Sequence, residues 1–186
     1  MLTKGQIKQN SREITGLLRS VKREGIDDLI RFLEKSDFFN APASTRFHGN
    51  YEGGLASHSY EVYKEFKRDV EHYQLDVKEE SIVLTGICHD FCKIGLYKPN
   101  PLKNGKVSES KPYKVEDDFP FGHGEKSVAI VSRYVQLTEQ EAMVIRWHMG
   151  RYDPSYEQYQ DRVEEKFPEV VLFHNVDKEV SLIRGI

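Results

Sequence analysis

The stretch Gly86-Ile87-Cys88-His89-Asp90-Phe91-Cys92-Lys93-Ile94-Gly95 decides how the rest of the chain is interpreted. Its adjacent His89 and Asp90 close a mostly apolar run that begins at Ile82, which is typical of the end of a buried helix. An imidazole and a carboxylate at such a point can face one metal ion. They can also form a buried polar pair that hydrogen bonds satisfy, and the dipeptide alone favours this second interpretation.

Length and composition bound the class of protein. A chain of 186 residues has the length of one domain, so we treat residues 1–186 as a single domain. The net charge of -3 and the pI near 6.2 argue against a broad basic surface for nucleic acid. Two cysteines, Cys88 and Cys92, are too few for a zinc ribbon, and we expect them to be reduced, mostly buried thiols near the site.

The sequence also indicates where the protein works. Residues 1–10 are polar and lack the apolar segment of a signal peptide. No apolar run approaches the ~20 residues that a membrane-spanning helix needs. We therefore expect a soluble, cytoplasmic protein with no membrane partner.

Apolar residues recur at helical spacing along most of the chain. Residues 3–35 predict two N-terminal helices, separated at Gly25, that pack on the core. Further helices are predicted at 55–74, 78–92, 123–135, 138–148 (after a capping-box pattern that starts at Thr138) and from Pro168 onward. Residues 36–54 predict a connecting segment in which His48 is a surface histidine. No segment alternates over many residues as a strand would, so the fold class is predicted to be all-α, a single helical bundle.

Residues 97–122 predict a long loop that is rich in Pro, Gly and Ser. Its lysines give it local positive charge ahead of the acidic residues 116–118; they are Lys98, Lys103, Lys106, Lys111 and Lys114. A loop of this length inside a compact domain is often a lid or a binding loop. We expect it to cover a cleft and to help hold an anionic substrate, and a flexible insertion is the alternative.

Histidines and aspartates recur at helix ends or inside apolar helical patterns. These candidate metal ligands are His58, His89, Asp90, His123, His148 and Asp177. Most neighbours in this order are separated by about one helix and its connection, so a bundle can bring all of them into one cleft, as bundle metal sites do. One histidine on an apolar helix is usually a core residue, but four histidines and two aspartates in this order predict a metal site.

This order of residues resembles the HD superfamily of metal-dependent phosphohydrolases. The matching segments are Gly53–His58, Ile87–Gly95, Gly122-His123, Trp147–Gly150 and His174–Asp177. From about residue 38 onward, the chain is most similar to the HD half of bacterial YhaM-type 3′→5′ exoribonucleases, a similarity that includes Ala41-Pro42-Ala43 and His48. The resemblance implies an HD-domain helical bundle whose metal-binding core spans 55–185.

The resemblance also implies roles for single residues. One divalent ion would be held by His58, His89, Asp90 and Asp177. A second would be held by His123 and His148, with Asp90 bridging the two. A mixed set of imidazoles and carboxylates suits Mn, Fe, Co, Ni or Zn better than Mg. Asp90 and Lys93 would be the catalytic residues, with Lys93 facing the substrate phosphate.

The activity that the resemblance implies is hydrolysis of a phosphoester in a nucleotide or at a nucleic-acid 3′ end, through a metal-activated water. Two other functions stay open. Some proteins of this superfamily resemble this ligand set yet activate O₂, which makes a di-iron oxygenase the first alternative, although Lys93 favours phosphate. A nucleotide-binding module without turnover is the second, although a complete set of six ligands argues against it. The sequence leaves the substrate and the oligomeric state open.

Overall fold

A computed structural model describes residues 1–102 and 104–186, and the chain there is mostly helical. The helices are α1 (Lys4–Ser20), α2 (Ile26–Lys35), α3 (Gly54–Tyr73), α4 (Glu79–Cys88), α5 (His123–Val131), α6 (Glu139–Trp147), α7 (Tyr156–Lys166) and α8 (Glu169–Lys178). Short 3-10 turns span Phe91–Lys93 and Gly150–Tyr152, and a π-helical turn, Glu179–Ile183, continues α8. The predicted helical class is confirmed, with one small sheet as the exception. Lys103, one of the predicted basic loop residues, lies outside the described residues.

Local signals in the sequence fix the starts of three helices, α1, α2 and α6. Thr3 caps α1 in a reciprocal capping box with Gln6, and Thr138 does the same for α6 with Glu141. Gly25 separates α1 from α2 with a φ of 85°, and a side chain there would collide with the carbonyl of Tyr134. The two predicted N-terminal helices are therefore confirmed, and α1 packs against α3 and α4.

Three parts of the helix prediction are wrong. The helix predicted at 78–92 ends at Cys88, and a 3-10 turn at Phe91–Lys93 follows it. Residues 156–166 form α7, which was not predicted because only Tyr156 and Val163 of that helix are buried. Two buried residues make too thin an apolar stripe to stand out among charged neighbours. The helix predicted at 123–135 ends at Val131, and turns carry the chain on to the buried Val135.

A close crossing of α3 and α4 positions the centre of the molecule. Gly86 lies at this crossing, where a Cβ would come within 2.7 Å of the Cα of Tyr63. The absence of a side chain lets the C-terminal end of α4, with His89, approach His58 on α3. Phe173 of α8 packs edge-on against Phe66 of α3, with ring centroids 4.8 Å apart. Three helices thus meet around the predicted ligands.

The segment predicted as a structureless loop contains a hairpin. Strands β1 (Tyr97–Pro99) and β2 (Tyr113–Val115) pair antiparallel, with Tyr97 opposite Val115. Each strand has three residues, which is too short for an alternating pattern to mark it in the sequence. Among the residues that the structure describes, no helix has both the length and the apolar character needed to cross a membrane.

Candidate metal centre

The six side chains predicted as metal ligands converge. Candidate ligand atoms of His58, His89 and Asp177 all lie within 4.8 Å of one another. The same holds for a second group, His89, Asp90 and His148, and for a third, Asp90, Cys92 and His123. The groups overlap through His89 and Asp90, so they form one continuous cluster at the junction of α3, α4, α5, α6 and α8. These buried His, Asp and Cys residues could hold a metal.

The two oxygens of Asp90 face different histidines. Its Oδ2 atom lies 3.5 Å from the Nε2 atoms of both His58 and His89. Its Oδ1 atom lies 2.9 Å from Nε2 of His123 and 3.7 Å from Nε2 of His148. Asp90 thereby stands between one histidine pair and the other, as the sequence resemblance implied for a bridging carboxylate.

Backbone carbonyls fix the orientation of three of these rings. The Nδ1 atoms of His58, His89 and His148 lie 3.0, 3.0 and 2.7 Å from the carbonyl oxygens of Ile186, Gly86 and Ile145, respectively. A carbonyl oxygen only accepts hydrogen bonds, so each Nδ1 carries the proton. In the neutral ring, the lone pair is then on Nε2, the atom that points into the cluster. Metal-ligating histidines usually have such an outer partner.

Two features of the cluster test whether these residues fit a metal ion. The Nε2 atoms of His58 and His89 face each other at 3.3 Å, although neither carries a proton when neutral. The Nε2 atom of His148 is buried and has no hydrogen-bond partner among the described residues. Buried nitrogens without donors cost free energy unless a cation or proton satisfies them. The residues therefore fit a bound divalent cation.

The acidic ligands are held in their charged form. Burial raises the pKa of Asp90, but the Lys93 ammonium and the surrounding histidines together lower it more, so this pKa lies well below its usual range. The Nζ atom of Lys93 is 2.6 Å from Oδ2 of Asp90. Burial likewise raises the pKa of Asp177, but the His58 ring, 3.1 Å away, together with His89 and His148 lowers it more. Both carboxylates are charged ligands at neutral pH.

Burial has the opposite effect on two of the histidines. It lowers the pKa of His89 and of His123, and the nearby Asp90 carboxylate offsets this lowering only in part. The two rings are therefore neutral near pH 7. A neutral imidazole is the form that binds a metal ion.

A cavity of about 640 Å³ opens onto the cluster. Four of the predicted site residues line this cavity: Asp90, Lys93, His123 and Asp177. The other lining residues are Ala43, Ser44, Phe47, His48, Tyr97, Met149, Tyr152, His174, Lys178, Ser181 and Leu182. His58, His89 and His148 lie behind this surface and are fully buried. The volume is within the ~300–1,000 Å³ typical of small-molecule sites.

The prediction that His48 is a surface histidine is wrong. The residue is half-buried, it lines the cavity, and its ring centroid is 5.1 Å from that of His58. Burial lowers the pKa of His48 to about 4, so the ring is neutral at pH 7. Gly49 and Gly54 allow this arrangement, because a Cβ on Gly54 would collide with the carbonyl of Gly49. Residues in an irregular segment have no periodicity that could have indicated this position.

His174 was not among the predicted ligands, and it also lines the cavity. Its Nδ1 atom is 2.7 Å from the carbonyl oxygen of His148. Gly150, with a φ of 50°, allows the ring this close, since a Cβ there would lie 2.7 Å from His174. The spacing of three residues between His174 and Asp177 on α8 was the signal that placed both on one face.

Cys92 is the third member of one ligand group, beside Asp90 and His123. Burial raises the pKa of its thiol to about 12, and burial also raises that of Cys88 well above its usual range. Both cysteines are free and buried, as predicted.

The lid expected from residues 97–122 is only marginally present. Among the described residues of this segment, Tyr97 alone lines the cavity. The tip of the segment is mostly exposed and pairs with itself, through β1, β2 and a bridge between Pro101 and Val107. A short hairpin satisfies its own backbone groups, so nothing draws it over the metal ligands.

Comparison of the chain with protein-family models, with curated proteins and with solved structures found no match. The arguments about function that follow therefore depend on the residues of this site and their geometry.

Proposed function

We propose that the chain is a metal-dependent phosphohydrolase of the HD type, acting on a phosphoester in a nucleotide or at a nucleic-acid 3′ end. The observation that carries this proposal is the position of Asp90. Its two oxygens each face a different histidine pair, and the ammonium of Lys93 lies beside it on the wall of an open cavity. That arrangement combines a site for two cations with a third positive charge at the place where a phosphate would enter.

The residues divide into two sets of ligands. His58, His89 and Asp177, with Oδ2 of Asp90, would hold one divalent ion, and His123 and His148, with Oδ1 of Asp90, would hold the other. The donor set of imidazoles and carboxylates suits Mn, Fe, Co, Ni or Zn. Such a pair of ions, when bound, lowers the pKa of a coordinated water toward about 7 and withdraws charge from a phosphoryl group.

Lys93 would bind the substrate directly. Burial lowers its pKa, but the charge and hydrogen bond of Asp90, together with Tyr97 and Cys92, raise it more, so the side chain is an ammonium at neutral pH. Its Nζ atom now pairs with Oδ2 of Asp90. With metal ions held at Asp90, the same ammonium would be free to donate to a phosphoryl oxygen, where negative charge grows in the transition state.

The protein around the candidate ligands is rigid and excludes water, which supports binding of metal ions and of a phosphate. His58, His89 and His148 are fully buried, and backbone carbonyls hold their rings. Electrostatic interactions are stronger in such surroundings than in water. Of the predicted site residues, Asp90, Asp177, Lys93 and His123 line the cavity and are open to a substrate there.

The alternatives share the ligand set, and Lys93 separates them. The Lys93 ammonium, 2.6 Å from Asp90 on the cavity wall, suits the oxygens of an anionic phosphoester, which favours phosphate chemistry over O₂ activation. A nucleotide-binding module without turnover has no need for a carboxylate that faces both histidine pairs. Both arguments favour phosphoester hydrolysis.

The experiment treats the protein with a chelator, adds back Mn²⁺, Fe²⁺, Co²⁺ or Zn²⁺ singly, and measures hydrolysis of p-nitrophenyl phosphate, bis(p-nitrophenyl) phosphate and nucleotides. We expect activity with at least one metal on at least one ester, and its loss in Asp90→Asn. The matched control is Asp161→Asn, an exposed aspartate on α7, which should keep the wild-type rate. Fully loaded protein that hydrolyses none of these esters would refute the proposal, and O₂ uptake by the iron form would favour the oxygenase.

A further inference from the structure

The mouth of the cavity carries large apolar side chains that the other described residues leave exposed. Phe47, Tyr152 and Leu182 line the cavity and are 68%, 66% and 70% exposed. They come from three separate regions: the segment before α3, the 3-10 turn after α6, and the π-helical turn after α8. Apolar groups gathered at one opening typically mark a surface that binds a ligand.

Positive charge surrounds the same opening. Lys178 is half-buried and lines the cavity, and no carboxylate among the described residues lies within ion-pair distance of its Nζ atom. The guanidinium of Arg46 stacks over the ring of Phe47, with its Cζ atom 4.9 Å from the centroid. The acidic residues that line the cavity, Asp90 and Asp177, belong to the metal cluster. The outer cavity therefore suits a ligand that is aromatic and anionic.

One polar atom in the wall also needs a partner. The Nε2 atom of His48 is buried and has no hydrogen-bond partner among the described residues, and the ring lines the cavity beside Phe47. A buried nitrogen of this kind is usually satisfied by water or by a ligand. A heteroatom of a nucleobase or a sugar hydroxyl would satisfy it.

We propose that the outer half of the cavity is a nucleobase subsite, in which Phe47 and Tyr152 stack on the base of one nucleotide unit whose phosphate lies against Lys93. The inference rests on the proposed function, and it selects nucleotides over phosphoesters without a base. The cavity of about 640 Å³ admits one nucleotide unit and not a duplex. A sugar phosphate or an inorganic polyphosphate would leave the three apolar side chains in water.

The test is equilibrium binding, measured by calorimetry on metal-loaded protein. The probes are the non-hydrolysable methylene phosphonate analogues of adenosine 5′-monophosphate and of ribose 5-phosphate. We expect the adenosine analogue to bind more tightly, and Phe47→Ala or Tyr152→Ala to weaken its binding about 10-fold, because stacking on an aromatic side chain contributes that much per base. The affinity of the ribose analogue should stay unchanged. Phe121→Ala, an exposed aromatic outside the cavity, is the matched control and should change neither affinity.

The two possible sources of the base are separated by a competition arm with a single-stranded hexanucleotide. If the hexanucleotide displaces the adenosine analogue, the subsite binds a nucleic-acid end. If it does not displace the analogue, the subsite binds free nucleotides. Both outcomes require base-dependent binding. Equal affinities of the two analogues, or equal weakening of both by Phe47→Ala, would overturn the inference. A wild-type dimer that Phe47→Ala converts to a monomer in sedimentation would also overturn it, because the exposed side chains would then form a subunit interface.

Failure of this inference can be distinguished from failure of the proposed function. Base-dependent binding without hydrolysis of any phosphoester would support the nucleobase subsite and refute the proposed hydrolase activity. The opposite result is equal hydrolysis of p-nitrophenyl phosphate, ribose 5-phosphate and nucleotides, with no base-dependent binding. It would support the hydrolase activity and refute the nucleobase subsite.

Discussion

The Nε2 atoms of His58 and His89 lie 3.3 Å apart, while a carbonyl oxygen lies 3.0 Å from the Nδ1 atom of each ring. Two neutral rings so placed direct their lone pairs at each other, with no proton between them. A cation that both nitrogens share removes this conflict, and Asp177 and Asp90 lie close enough to complete its ligand set.

We expect the metal content to follow the ligand sets. Wild-type protein should bind two ions per chain. His148→Ala should bind one, because it removes a ligand only from the Oδ1 side of Asp90. Asp90→Ala should bind neither, because it removes a ligand from both sides. Elemental analysis after reconstitution measures this, and one ion in both wild type and His148→Ala would leave only the site of His58, His89 and Asp177 standing.

Lys93→Ala should leave the metal content unchanged and lower kcat. The side chain pairs with Asp90 when no cation is bound, so its removal takes away a competitor of the metal and not a ligand. Loss of one donor to the transition state typically lowers kcat by about 10²–10³-fold. The loss should appear in kcat more than in KM. Steady-state kinetics on metal-loaded protein measures kcat and KM. Normal turnover with a slightly lower Tm would show that Lys93 only stabilises the C-terminal end of the preceding helix.

Arg184→Ala should weaken metal binding without touching a ligand. Arg184 pairs with Glu65 on α3 at 2.6 Å, and so holds the segment whose Ile186 carbonyl accepts from Nδ1 of His58. Loss of such an outer partner typically costs about 10- to 100-fold in metal affinity. The control is Arg68→Ala, which removes another, more exposed partner of Glu65. Equal metal affinities for Arg184→Ala and the control would show that this contact does not orient the ligand.

Arg23→Ala should be strongly destabilising. Its guanidinium bonds both carboxylate oxygens of Glu141, at 2.7 and 2.6 Å, and Glu141 is completely buried between α4 and α6. Leaving this charge without its partner should cost about 3–5 kcal/mol of unfolding free energy. Arg31→Ala, which breaks an exposed pair with Asp28, should cost less than about 1 kcal/mol. Denaturant unfolding compares the two variants.

Glu141 also predicts a pH dependence of stability. Burial raises its pKa, but hydrogen bonds from Arg23 and Ser81 lower it more, so the pKa in the folded protein lies below the unfolded value. The stabilisation is complete above the unfolded pKa of about 4.3 and is lost as the pH falls through the lower folded pKa. Unfolding free energy should therefore fall below pH 4 more steeply for wild type than for Glu141→Gln. If the two proteins lose unfolding free energy equally as the pH falls, Glu141 is not the cause of the loss.

The convergence of the candidate ligands could be predicted because they lie at helix ends, where apolar periodicity fixes both the helix and the buried face. His58, His89 and Asp90 could be placed in this way. His48 could not, since its position depends on how an irregular segment packs against α3 across Gly49 and Gly54.

Elements that tertiary contacts stabilise were missed for a related reason. Helix α7 is mostly polar, and Tyr156 and Tyr159 are placed by packing against Trp147, a contact that no local pattern reveals. The hairpin of β1 and β2 depends on backbone pairing between residues that are 18 positions apart at Tyr97 and 14 apart at Pro99, and its strands are too short to alternate. The apolar mouth of the cavity was missed as well, because Phe47, Tyr152 and Leu182 are far apart in the sequence.

A phosphohydrolase of this kind depends on divalent metal ions bound at this cluster. The most direct measurement is the rate of hydrolysis of bis(p-nitrophenyl) phosphate, p-nitrophenyl phosphate and adenosine 5′-monophosphate by chelator-treated protein as Mn²⁺ is titrated in. We predict that hydrolysis of at least one ester rises with bound metal, saturates at two ions per chain, and is absent from Asp90→Ala. Hydrolysis of none of the three esters at full metal loading, or an equal rate in Asp90→Ala, would contradict the account.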